Sequence, residues 1–230
     1  DLKPDFIWTK NRTDGGTDHV VTNSSFGFDA PNATFEGGAG SDETLNGQLS
    51  PNSTAKQNSV AATYGYISAQ LTDGFTAAAG GTNGDTMNAN TKEFVAWQWK
   101  CNAGTTSTNT DGDINSTVQV NQDAGFSVVM YEPANTTARN IGHGLGATPG
   151  LIIIRNRKRV ENWRVWHQSM GAGGYILDGA TSYNTGTSTL VNTVNSTIFN
   201  VGSDFSVNGG FPIAAWCWVE KQGYSKFGKY

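Results

Sequence analysis

Leu151-Ile152-Ile153-Ile154 stands behind Pro149-Gly150 and ahead of Arg155-Asn156-Arg157. Four consecutive apolar residues, three of them β-branched, closed by turn residues on one side and polar residues on the other, spell a short buried strand. The phrase has an earlier version, Pro4-Asp5-Phe6-Ile7-Trp8-Thr9-Lys10-Asn11-Arg12. A second phrase repeats in the same order, Phe94-Val95-Ala96-Trp97-Gln98-Trp99 returning as Ile213-Ala214-Ala215-Trp216-Cys217-Trp218. The chain is therefore read as a duplicated module. A third echo sets Gly125-Phe126-Ser127-Val128-Val129, at the opening of the second copy, against Gly223-Tyr224-Ser225-Lys226-Phe227 just after it. On this reading the sequence is a piece of a longer repeat-bearing protein. Repetition of one module usually serves architecture or multivalent contact.

The 230 residues accommodate two modules of about 100 residues, an ordinary domain size. Only 15% of residues are charged, while 25 are Phe, Tyr or Trp, a balance that disfavours disorder. Abundant Gly, Asn, Thr and Ser disfavour helix, and the aromatic and β-branched residues suit strands. Net charge is −4, and the longest basic cluster is Arg155 to Arg159, so the footprint of a nucleic-acid binder is missing. No stretch approaches the roughly 20 apolar residues of a membrane span, and the first residues do not resemble a secretory signal. Strand alternation puts Cys101 on the face of Trp97 and Trp99 and Cys217 on the face opposite its Trp pair. Two free, buried thiols are expected.

Further strands are expected at His19-Val20-Val21, with Trp163 to His167 as its counterpart. Gly74-Phe75-Thr76 matches Ile198 to Val201, and Val118 to Val120 and Gly125 to Tyr131 complete the set. Each Leu151-type run ends in a basic residue, Asn and Arg, where the chain is expected to reach solvent. Ser59 to Leu71 is read as strand in preference to a short helix at Ser68 to Leu71. Residues 27–57 are rich in Gly, Asn, Ser and Asp, lack a counterpart of comparable length, and read as an insertion suited to variable contacts. Short strands joined by Gly and Asn turns imply a sandwich or barrel.

Candidate chemistry is sparse. Asn109, Asp111, Asp113 and Asn115 set oxygen ligands at alternate positions but lack the glycine and the bidentate glutamate of an EF-hand; an Asx-rich turn is the simpler account, with an irregular calcium site as the alternative. His19, His143 and His167 are scattered at no zinc-site spacing, and the last two read as orienting hydrogen-bond donors in turns. Glycan hydrolysis needs two facing carboxylates, and Asp73, Glu93, Glu132, Glu161, Asp178 and Asp204 form no local pair. No nucleophile elbow, phosphate loop or dinucleotide fingerprint occurs. The Asn-x-Ser/Thr triplets at Asn11, Asn23, Asn32, Asn52, Asn115, Asn135 and Asn195 follow largely from composition. Trp163 and Trp166, three apart, occupy opposite faces of a strand, so one points outward as a sugar-stacking platform unless both faces are covered; burial is the favoured account. Tyr64, Tyr66 and Tyr183 raise the same question.

Lys3 to Arg12, Gly142 to Arg157, Asn162 to His167 and Gly223 to Gly228 together resemble a repeat common in large structural proteins of tailed bacteriophages, particularly those of marine bacteria and cyanobacteria. The resemblance implies a virion component, often fibre-like and commonly trimeric, and supplies no catalytic residue. Copy one departs from the pattern, with Thr13 to His19 in place of the Trp-bearing segment, and is the copy expected to have specialised for contact.

The resulting expectation is an all-β protein of two tandem, related β-sandwich (jelly-roll-like) modules. Residues 1–101 form the first module with its insertion at 27–57, 102–117 a linker and 118–222 the second module. Residues 223–230 are either the opening strand of a further module or a strand completing the first. The expected role is a non-enzymatic virion-surface protein of the tail fibre or spike kind, binding host-surface glycan. A capsid decoration or tail adaptor protein is the alternative, and a glycan depolymerase a more distant one. Expected partners are copies of itself, other virion proteins and host-surface carbohydrate, without nucleic acid or membrane insertion. No catalytic, cofactor or metal residue is assigned, and no ligand-binding residue is identified.

Overall fold

The computed structural model describes residues 2–26, 33–34, 44–45, 47–57, 64–79, 86–177, 184–185 and 189–229. Contacts divide the chain into two compact units, Asp1–Ala103 and Gly104–Tyr230. All regular structure among the described residues is strand, and the protein is all-β.

The second unit is built on one continuous sheet. Its centre is β12 (Leu151–Asn156), the Leu-Ile-Ile-Ile run, set antiparallel between β13 (Arg164–His167) and β18 (Ile213–Trp218). Beyond β18 follow β10 (Phe126–Tyr131), β9 (Ser116–Asn121) and β8 (Ser107–Asn109). Beyond β13 follow β14 (Gly173–Ile176), β16 (Val191–Val194), β17 (Ile198–Val201) and β11 (Arg139–Gly142), with β15 (Asn184–Thr185) paired to β14. A single core joins Val118, Val129, Ile152, Ile154, Ala215 and Cys217 from one limb to Val191, Phe199 and Val201 from the other. Tyr131 and Phe199 meet edge-on across it at 6.0 Å. The sheet is thus folded over on itself as a sandwich. Near its two ends a parallel bridge links Ile114 to Ile141.

The first unit repeats the centre of this sheet. β1 (Phe6–Asn11) lies antiparallel between β2 (Val20–Asn23) and β7 (Phe94–Trp99). Phe6 faces Trp99 and Trp8 faces Trp97, as Leu151 faces Trp218 and Ile153 faces Trp216. Trp8 also faces Val21 as Ile153 faces Val165. Outside β2, Leu49 exchanges two backbone hydrogen bonds of 2.8 Å with Val21, in the place where Tyr175 of β14 pairs with Val165. Part of the expected insertion is therefore a structural edge, with Gln48, Leu49 and Ser50 buried. A hairpin of β5 (Tyr66–Leu71) and β6 (Gly74–Ala78) supplies Ile67, Phe75 and Ala77 to a core with Ile7, Val20 and Met87. The strand reading of Ser59 to Leu71 holds for Tyr66–Leu71, while the described Tyr64 and Gly65 lie outside the strand. β3 (Ala33–Thr34) and β4 (Thr44–Leu45) pair within the insertion.

Three expectations need correction. The Lys/Arg-Asn-Arg end reaches solvent at Arg12 in the first copy but is buried throughout in the second. Asn11, Arg155 and Asn156 are buried, because each Asn closes a turn with its own side chain. Asn11 Oδ1 accepts from the backbone of Thr13 and Asp14 at 2.8 and 3.0 Å, and Asn156 Oδ1 from that of Lys158 and Arg159, both at 3.1 Å. The preceding cation caps the same loop's carbonyls, Lys10 at Thr17 (2.6 Å) and Arg155 at Arg159 (3.3 Å) and Glu161. Burial pulls the Arg157 guanidinium down to about 9 against the opposing pull of Glu132.

Second, the segment expected as a linker contains β8, paired with β9 through Ser107–Asn109. Third, residues 223–229, expected as a strand, contain no strand and run as a turn within the second unit. Ser225 bridges back to Lys221, and the backbone N–H of Phe227 donates to Glu220 at 2.9 Å, all within the second unit. The left-handed Gly223 (φ 77°) turns the chain before it can extend.

Candidate functional site

The register of β1 against β7 gathers Phe6, Trp8, Trp97 and Trp99 on one face of the first unit's sheet, because residues two apart on a strand share a face. Phe6 and Trp99 lie 5.2 Å apart, and Trp8 meets Trp97 nearly edge-on at 6.3 Å. His19 continues the row, edge-on to Trp8 at 5.9 Å, its Nδ1 accepting the indole N–H of Trp8 at 2.9 Å. That bond requires an unprotonated Nδ1. Burial lowers the pKa of His19, and the nearby Lys10 lowers it further against Asp18, so the imidazole is neutral near pH 7. A polar rim adjoins the row: Asn52 accepts from the backbone of His19 at 2.9 Å and donates to Asp18 at 2.8 Å.

The second unit closes the equivalent face. Trp216 takes the place of Trp97 and is wholly buried, stacked on Trp163 at 5.5 Å with 17° between the planes, while Phe126 covers Trp218 at 5.1 Å. Trp97 is 45% exposed. The two copies share one aromatic pattern and put it to different use.

Both Trp163 and Trp166 are buried, the latter donating its indole N–H to Gly171 O at 2.7 Å; neither serves as an outward platform. Tyr64 is exposed and Tyr66 half-buried, while Tyr183 lies outside the described residues. The exposed Trp97 escaped sequence reasoning because its repeat partner Trp216 marks the position as core.

The other candidates stay apart. Asp111 and Asn109 bond to one another, and Asp113 exchanges hydrogen bonds with the backbone of Asn140, as an Asx-rich turn would. Among the described residues no three His, Cys, Asp or Glu side chains gather as a metal set. His143 is buried, Nε2 donating to Asn195 O at 3.1 Å and Nδ1 accepting from the backbone of Leu145 at 3.2 Å. Burial lowers its pKa. His167 accepts at Nδ1 from the backbone of Ser169 at 3.2 Å, so it orients its turn as an acceptor. Glu93 stands 3.9 Å from Arg12 and Glu161 3.2 Å from Arg159. Asp204 stands 3.6 Å from Arg164, Glu132 lies in the field of Arg157, and Asp73 sits in the β5–β6 turn. Asp178 is outside the described residues. Cys101 and Cys217 are buried thiols outside any disulfide, and burial pushes the Cys217 thiol well up.

Fold and site together define a duplicated all-β module with one aromatic face sealed and its twin open. The chain belongs to the DUF7483 family, a domain of unknown function whose profile matches residues 1–230. No curated protein and no solved structure matches it.

Proposed function

We propose that the chain is a non-enzymatic structural module of a bacteriophage virion, of the tail fibre or spike kind, displayed on the particle surface and adsorbing host-surface glycan on the face of Trp8 and Trp97. The observation that carries the reading is the contrast between exposed Trp97 and buried Trp216 at equivalent positions of one repeat. An indole face beside amide and carboxylate groups suits a sugar ring, which offers C–H bonds to the ring and hydroxyls to the rim. The resemblance of the repeated segments to phage structural repeats supports the virion setting. Weak binding at one face becomes useful when many copies act together.

The test has two parts. Titration with envelope polysaccharide of the host is expected to shift tryptophan emission in the native chain and not in Trp97→Ala. A cryo-electron microscopy map of the assembled particle is expected to place the face outward on a distal fibre. A location on the capsid shell or inside the tail tube, with Trp97 packed on a neighbour, would establish the alternative of a decoration or adaptor protein. The flank of β7 that no strand covers among the described residues favours that alternative, since an edge strand is a natural place for another chain.

A further inference from the structure

β18 and β7 are equivalent strands with unequal neighbours. β18 is paired on both sides, by β12 and β10, and all six of its residues are buried. β7 is paired on one side by β1 and, among the described residues, by no strand on the other. The Val219 N–H donates to Gly125 O at 2.8 Å, so ladder alternation turns the backbone groups of Cys217, Ala215 and Ile213 toward β10. Their equivalents Gln98, Ala96 and Phe94 turn to the open side of β7. The Gln98 side chain adds a second mark, because its Oε1 is buried without a hydrogen-bond donor, a costly condition.

The occupant can be read from the repeat. On β18, Phe126 faces Trp218, Ser127 faces Cys217, Val128 faces Trp216 and Val129 faces Ala215. The chain holds this motif once more, as Gly223-Tyr224-Ser225-Lys226-Phe227. Transferred to β7 in the same register, Tyr224 falls beside Trp99 as Phe126 lies beside Trp218. Ser225 falls opposite Gln98, bringing a hydroxyl donor to the orphaned Oε1. Lys226 falls opposite Trp97 and Phe227 opposite Ala96, on the core side where Val129 is buried. In its own unit the segment is held as a turn, with Ser225 Oγ donating to Val219 O at 3.2 Å and the Phe227 ring set against Gly150. Tyr224 is 64% exposed, and Phe227 is fixed by its backbone to Glu220 and Gln168, each at 2.9 Å.

We infer that residues 223–229 of one copy of this chain add as an antiparallel strand to the open edge of β7 in a second copy. The exchange gives up the Lys221–Ser225 bridge, the Ser225–Val219 bond and the Phe227 contacts with Gly150, Glu220 and Gln168, and gains a full ladder, an aromatic pair and a partner for Gln98. Each chain carries one donor segment and one acceptor edge, so the contact is heterologous and continues from copy to copy until a ring closes. The inference goes beyond the glycan reading and fails or stands apart from it.

Sedimentation velocity across a concentration series tests it. The native chain is expected to associate with rising concentration. Ala96→Pro, which removes an outward N–H from an edge strand without touching the β1 ladder, and Tyr224→Ala/Lys226→Glu, on the exposed tail, are each expected to leave monomer only. Mixing the two variants is expected to restore one-to-one dimers and nothing larger, because one supplies the tail and the other the edge. A native chain that stays monomeric at every concentration would overturn the inference, and protected β7 amides in that monomer would assign the edge to the chain's own tail. Association unchanged by the tail substitutions would overturn it equally, and so would a mixture that stays monomeric. Should Ala96→Pro fail to fold, the tail variant and competition by excess peptide 223–230 still decide.

Discussion

At the residue scale the two copies differ most tellingly at Asp5 and Gly150. Both donate their backbone N–H to the last Trp of the neighbouring strand, Trp99 at 2.8 Å and Trp218 at 2.7 Å. The Asp5 side chain is buried and accepts from Cys101 N (2.6 Å), Ala103 N (3.0 Å), Ser24 Oγ (2.6 Å) and Gln70 Nε2 (3.0 Å). A Cβ on Gly150 would stand 2.9 Å from Phe227, so an aromatic fills in one copy what a carboxylate fills in the other. Asp5→Ala strands these donors and is expected to destabilise by about 3 kcal/mol, read from the denaturant midpoint; a change within experimental error would contradict the role. His19 and His143 supply a pH dependence of definite sign. Their folded pKa values are lowered by burial, so the unfolded chain binds more protons. Their contribution is present above the unfolded value of about 6.5 and is lost as pH falls through the folded values. The urea midpoint is therefore expected to drop between about pH 7.5 and about pH 5, with part of the drop removed in His143→Gln.

At the element scale, the Asn that closes the turn after β1 or β12 is worth more than its polar character suggests. Besides its two accepted bonds, Asn156 donates to Phe205 O at 2.9 Å. Asn156→Ala is expected to cost about 2 kcal/mol, measured by thermal melting, whereas the same change at exposed Asn135 is expected to be nearly silent. Gly142 in β11 is set against Asn109, whose Oδ1 would lie 1.7 Å from an added Cβ. Gly142→Ala must push that turn away, with an expected loss of about 1–3 kcal/mol. Strand identity was legible in the sequence because the apolar phrases recur in order, β1 returning as β12 and β7 as β18, whereas which strands pair was not. The turn chemistry was misread. Basic-Asn-Arg looks like a solvated strand end until the Asn is seen to satisfy the turn's own N–H groups, and only then does burial of the cation follow. Trp97 was illegible for a related reason, since exposure is set by the strand beside it and not by its own phrase.

At the scale of the whole molecule, duplication has produced units of unequal solidity. Among the described residues, every residue of β18 is buried and the strand is paired on both sides, whereas β7 is half-buried or exposed throughout and paired on one. At about 25 cal/mol per Å² of apolar surface buried, that difference sets the order of opening. Amide hydrogen exchange is expected to be slower in β12 and β18 than in their counterparts β1 and β7; equal protection would show that the first unit draws its stability from elsewhere. The same inequality gives the protein two optical signatures. Trp163 and Trp216, stacked in the interior of the second unit, are expected to stay shielded from soluble quenchers until that unit unfolds. Trp97, open to water in the first unit, emits to the red and is quenched by soluble iodide. Quenching of one unlabelled sample thus separates a ring left bare in one half of the duplication from rings sealed in the other.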